Sequence, residues 1–133
     1  MKYDDRTTEA IIESIIRVHR VLGPGFLESV YRRALLVELK KRGMDVETEK
    51  EIVLYCEGEE IGVHRLDLLV EGSVIVELKT VAALSKAHYA QVRSYLKATG
   101  LKVALLVNFA REKADFRRIQ NEGKEEAERR FRS

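Results

Sequence analysis

The chain is poor in the residues that staple or interrupt a fold. It has a single cysteine, Cys56, so no internal disulfide can form and no thiolate zinc site can assemble. Cys56 is expected to be a half-buried strand residue without a catalytic role. There is one proline, Pro24, and no tryptophan. No apolar run approaches the roughly 20 residues that cross a bilayer, so no membrane partner is expected. The segment from Met1 to Arg6 lacks the apolar stretch of a signal peptide, and a reducing, cytoplasmic location is the expectation. Charge of one sign is scarce as well: 24 basic and 22 acidic side chains leave a formal net charge of +2. That total excludes a histone-like polycation, so any nucleic-acid contact must come from a local patch.

What is present fits one globular unit. A length of 133 residues with 45% hydrophobic and 35% charged side chains suits one domain around one core. The domain is expected over 1–119, and the charged segment 120–133 is expected to be a frayed helix or disordered. Thr7 or Thr8 can cap a first helix whose apolar residues include Ile11, Ile15, Val18 and Leu22. Gly23-Pro24-Gly25 stops it. A second helix is predicted from about Phe26 to Arg42, with Leu27, Val30, Tyr31, Ala34, Leu35 and Leu39 as its stripe. Strands follow over Val46 to about Glu57, Ile61 to Val70, and Val74 to Lys79. Ser85 can cap a third helix that ends near Thr99-Gly100. An apolar strand from Lys102 to Phe109 comes next, and a short one around Phe116 to Ile119. The order ααβββαβ(β) makes a mixed α/β sandwich with a central sheet.

The stretch from Asp67 to Lys79 is the most informative. It sets an Asp, a Glu and a Lys into an otherwise apolar hairpin, and charges are rarely buried unless paired or holding a metal. Strand alternation puts Glu77 and Lys79 on one face and Leu78 on the other. The register depends on the turn. A two-residue turn at Glu71-Gly72 pairs Val70 with Ser73 and sends Glu77 to the face opposite Asp67. A three-residue turn, Glu71-Gly72-Ser73, pairs Val70 with Val74 and sets Asp67 across from Glu77. Facing carboxylates repel, and a divalent cation removes that cost; oxygen ligands suit Mg²⁺ or Mn²⁺. Lys79, about 7 Å further along the strand, could then hold a phosphate or a metal-activated hydroxide. The competing reading is a cross-strand ladder of ion pairs on a solvated face.

Two further clusters carry polar groups beside apolar stripes. Glu28 and Tyr31 share a helix face, so Glu28 points toward the core or a cleft. Glu28 could equally be a first-turn acid that complements the helix dipole. On the third helix His88, Gln91 and Tyr95 share a face. Gln91 needs partners there and could orient a carboxylate, a water or a phosphate; a boundary glutamine satisfied by its neighbours is the alternative.

Taken together, these pieces resemble the PD-(D/E)XK nuclease superfamily, and within it the small group called GxxExxY proteins. Gly25, Glu28 and Tyr31 match the naming motif; Asp67 and Glu77-Leu78-Lys79 match the nuclease signature; Gln91 and Tyr95 match the helix that follows. The resemblance spans about Ile11 to Phe109. Leu66 stands where the signature's name has proline. The resemblance implies a restriction-endonuclease-like αβββαβ core, with an extra N-terminal helix here. It implies Mg²⁺ held by Asp67, Glu77 and the backbone carbonyl of Leu78. Lys79 takes the lysine role, Glu28 becomes a metal or water ligand, and Gln91 supports the site, with Tyr31, His88 and Tyr95 beside it.

The expected activity is Mg²⁺- or Mn²⁺-dependent hydrolysis of phosphodiesters, with nucleic acid, DNA above all, as partner. Lys86, Arg93 and Arg32 are the foremost candidates for phosphate contact. A homodimer could help so small a domain grip a duplex. The alternative is a catalytically silent nucleic-acid-binding or protein-assembly module that retains the fold.

Overall fold

The computed structural model describes residues 5–121. Three helices and five strands run in the order α1 (Asp5–Leu22), α2 (Glu28–Lys41), β1 (Val46–Cys56), β2 (Glu59–Val70), β3 (Val74–Lys79), α3 (Lys86–Thr99), β4 (Val103–Asn108) and β5 (Asp115–Gln120). The segment α2 to β4 is the expected αβββαβ core, preceded by α1 and followed by β5. Gln120 closes β5, and the rest of the expected tail, apart from Asn121, lies outside the described residues. None of the described helices is long and apolar enough to cross a membrane.

The five strands form one mixed sheet in sequence order, β1-β2-β3-β4-β5. Only β3 and β4 pair in parallel, joined through α3; the other neighbours are antiparallel. Both central strands are apolar runs, Val74-Ile75-Val76 and Val103 to Val107, and both are buried, as strands covered on two faces must be. On one face α1 and α2 pack Ile11, Ile15, Leu35 and Leu39 against Leu68, Val70, Val76, Leu78 and Leu105. On the other, α3 packs Val92, Tyr95 and Leu96 against Leu69, Ile75, Ala104 and Leu106.

Several local expectations need correction. Neither Thr7 nor Thr8 caps α1, because the helix already includes Asp5; Thr8 is a buried residue in its first turns. The second helix starts at Glu28 rather than Phe26. Leu27 is its N-cap residue and lies exposed, so the buried set is Tyr31, Leu35, Leu36 and Leu39. Cys56 is exposed rather than half-buried. It ends β1 in the outer half of the β1–β2 ribbon, where β2 has no pairing with β3.

Tyr31 fixes how α2 begins. Its ring is fully buried and stacks on Phe109 at 4.5 Å between centroids and 9° between planes. Its hydroxyl donates to the Gly23 carbonyl at 2.5 Å and accepts the Phe26 N–H at 3.2 Å. Gly25, between them, has φ 112°, a conformation side chains resist. The motif's glycine and tyrosine thus fold the α1–α2 loop, and the loop sets Glu28 in the first turn of α2. Tyr31→Phe leaves two backbone groups unpartnered and should cost about 1–2 kcal/mol. Urea unfolding should show a lower midpoint at an unchanged slope.

Candidate active site

The hairpin takes the three-residue turn. Val70 pairs with Val74, Leu69 with Ile75 and Leu68 with Val76. Glu71 and Gly72 supply the positive φ values of 54° and 62°. The next step in register brings Asp67 opposite Glu77, but no ladder pair forms there. The acids replace it. Glu77 Oε1 accepts the Asp67 N–H at 3.0 Å, and Asp67 Oδ2 accepts the Leu78 N–H at 2.9 Å. Each carboxylate therefore holds the opposite strand's backbone.

Burial makes this pair expensive. Glu77 is 3% exposed, and burial together with the Asp67 charge pushes its carboxyl up to about 8. Glu28, in the first turn of α2, is raised by burial and by Asp67, while Lys79 and Arg32 pull it down. Three acids from three elements thus share one electrostatic neighbourhood with two cations. Lys79 Nζ donates to Gln91 Oε1 at 3.2 Å, so α3 holds the lysine on the face of Glu77.

The remaining candidates fall in different places. Tyr95 is buried and stacks on His64 at 3.9 Å, with its hydroxyl 3.0 Å from His64 Nδ1. Burial, then the charges of Glu77 and Asp67, push its phenol above the ordinary range. His88 does not reach the acids. Its Nδ1 accepts the Ser85 N–H at 3.0 Å while Ser85 Oγ accepts the His88 N–H at 3.3 Å, a capping box that starts α3. Leu78 buries its side chain among α1 and α2, and Tyr31 positions the loop before Glu28. Lys86 and Arg93 lie exposed on α3, Arg93 5.9 Å from the Tyr89 ring centroid. Arg32 instead turns to the acids: its Nη1 lies 3.2 Å from Asp67 Oδ1 and its Nη2 3.5 Å from Glu49 Oε1.

Sequence reasoning missed that pairing, and it missed His64. Burial lowers the His64 imidazole, the Asp67 charge raises it and Lys79 lowers it, so it too belongs to this neighbourhood. Its only sequence signal was a histidine three residues before Asp67. Asn108 was missed as well: it is buried at the end of β4 and holds Val81, accepting its N–H at 3.1 Å and donating to its carbonyl at 2.8 Å. That contact anchors the segment after Lys79.

Among the described residues, no three His, Cys, Asp or Glu side chains are grouped to hold a metal ion together. The donors that do converge, Asp67 and Glu77, are all oxygen, with Glu28 near enough to feel Asp67. That set suits a hard cation such as Mg²⁺ or Mn²⁺, and the raised Glu77 marks a place short of positive charge. The pH dependence follows. Burial and the Asp67 charge raise the Glu77 carboxyl from its ordinary value of 4.5 to about 8. Its contribution to stability is complete below the unfolded value and is lost as pH rises through the folded one. Between about pH 5 and pH 9, the melting temperature of the metal-free protein should fall more steeply for wild type than for Glu77→Gln. Parallel curves would contradict the buried, proton-holding acid.

Comparison with known proteins bears on the fold and the family. No curated protein matches the chain. Among solved structures, that of SSO0001 superposes with a TM-score of 0.56 at 21% identity, over 98% of this chain and 65% of that one. An alkaline exonuclease from Laribacter hongkongensis (LHK-Exo) superposes with a TM-score of 0.54 at 14% identity, over 98% of this chain and 77% of that one. The same exonuclease in complex with dAMP gives 0.51 at 14% identity, over 94% and 88%. This chain thus spans less than two thirds of the SSO0001 chain. At such identities the likeness establishes the fold, a restriction-endonuclease-like α/β arrangement. The family model of the PD-(D/E)XK nuclease superfamily matches residues 5–119, nearly all of the described sequence, and the chain belongs to that superfamily.

Proposed function

We propose that this protein is a divalent-metal-dependent nuclease of the GxxExxY type, acting on phosphodiester bonds in DNA. The observation that carries the reading is the placement of Asp67, Glu77 and the Lys79–Gln91 pair at the point where β2 and β3 part. Membership of a nuclease superfamily supports it, as does the fold shared with an alkaline exonuclease.

Asp67 and Glu77, with the Leu78 carbonyl and Glu28, are the groups that would hold Mg²⁺ or Mn²⁺. When bound, such an ion supplies Lewis acidity and makes water a stronger nucleophile. The chain's own residues do the rest. Backbone hydrogen bonds fix both acids before any ligand arrives, so little reorganisation is needed. Gln91 holds Lys79 through a neutral amide, which leaves the full ammonium charge for a phosphate oxygen. Lys86 and Arg93, exposed on α3, serve as contacts for the nucleic-acid backbone. A second copy of the chain would lengthen that contact surface.

One observation favours a second reading. Arg32 already pairs with Asp67, and a guanidinium that stays there would leave a silent binding module. Incubation with supercoiled, linear and single-stranded DNA, with Mg²⁺, Mn²⁺ or EDTA, separates the two. Cleavage should need the metal and fall at least about a hundredfold in Lys79→Ala. Gln91→Ala should lose less, about tenfold, because the ammonium remains. Cleavage that survives Lys79→Ala would refute the site; DNA binding that ignores metal, without cleavage, would establish the module.

A further inference from the structure

Arg32 stands one helical turn beyond Glu28 and reaches two carboxylates with one guanidinium, Asp67 at 3.2 Å and Glu49 at 3.5 Å. The two acids differ in setting. The Asp67 side chain is 14% exposed and belongs to the acid pair; that of Glu49 is 55% exposed and stands toward solvent. Glu49 is also held in an unusual conformation. Its φ is 51°, in the left-handed region that a glutamate rarely adopts. The β1–β2 register runs Thr48↔Leu68 and Lys50↔Leu66, so Glu49 falls opposite Asp67 and is skipped by the ladder. The kink therefore sits at the one position of β1 that faces the acid, and it brings a second carboxylate to the same guanidinium. Beside Arg32 lies a cavity of about 210 Å³, lined by Ser29, Arg32, Arg33, Leu36, Thr48 and Glu49. The guanidinium has room on its Glu49 side.

A guanidinium and a divalent cation compete for Asp67 Oδ1: both draw on the same oxygen, and their charges repel. We propose that Arg32 is a displaceable counter-ion, held by Asp67 in the metal-free protein and transferred to Glu49 when a divalent cation takes the acid pair. The inference rests on the reading of Asp67 and Glu77 as cation ligands. Arg32 is then a positioning residue that sets how tightly the cation is held, and Glu49 is its second seat.

Titration of MnCl₂ into the purified protein, followed by calorimetry and by the electron paramagnetic resonance of free Mn²⁺, tests this without recourse to activity. Arg32→Met keeps much of the apolar stem and removes the competitor, so Mn²⁺ should bind about fivefold tighter or more. Arg33→Met, which removes a neighbouring cation that lines the cavity, should stay within about twofold of wild type. Glu49→Gln removes the second seat and should weaken Mn²⁺ binding, and that loss should vanish when combined with Arg32→Met. Should Arg32→Met fail to fold, the exposed Glu49→Gln variant decides alone, and unchanged affinity there overturns the proposal. Wild-type affinity that is lost in Asp67→Asn but unaltered or weakened in Arg32→Met overturns the displacement and leaves the metal centre standing. A folded wild type that binds no Mn²⁺ overturns both.

Discussion

The site depends on where two strands stop pairing. The β2–β3 ladder ends at Leu68↔Val76, and the next backbone N–H groups, those of Asp67 and Leu78, have no strand partner. A buried donor left unsatisfied costs about 1–3 kcal/mol. The side chains of Glu77 and Asp67 remove that cost by accepting across the gap. The acids are thus structural before they are chemical: their rotamers are fixed by the backbone they satisfy. The same parting frees the outer half of β2 to pair with β1 alone.

A second consequence lies in the alternation of faces. Leu68 and Val70 pack under α1 and α2, and strict alternation would put Leu66 there too. Leu66 instead packs with Val92, Tyr95 and Leu96 of α3. The exchange of faces falls at Asp67, opposite the left-handed Glu49. Beyond it, the even-numbered residues of β2 turn toward α3. That is how His64 comes to lie against Tyr95, and Tyr95 is close enough to Glu77 and Asp67 to feel both charges. One backbone kink serves both the packing of α3 and the environment of the acids.

Much of this was legible in the sequence because it is local. The apolar runs of β3 and β4, the choice between two turn lengths, and the spacing from Glu77 to Lys79 follow from period-two alternation. The pairing of Lys79 with Gln91 was within reach: Lys79 shares a strand face with Glu77, and Gln91 belongs to α3, which packs over that face. What was not legible comes from packing between elements. Nothing in the second helix distinguishes Arg32, which turns inward, from Arg33, which stays exposed. The flip at Asp67 has no signature because glutamate, not glycine, carries the positive φ at Glu49. Cys56 misled for the opposite reason: alternation argues for burial only where a second layer covers the strand.

The charges explain why such a site stays poised. Glu28, Asp67 and Glu77 set three potential negative charges against Lys79 and Arg32. Lys79 lowers both Glu28 and Glu77, and Arg32 lowers Glu28, yet both acids remain above the ordinary carboxylate range. Burial and Asp67 therefore outweigh the two cations. Neither cation is placed to reverse this. Lys79 makes its short contact with an uncharged amide, and Arg32 divides its guanidinium between Asp67 and a solvent-facing glutamate. Burial and the Asp67 charge favour a proton on Glu77, which eases the balance. A compact dication would do the same with more charge and without the steric demand of a guanidinium, which is the physical ground for proposing that Arg32 can be displaced.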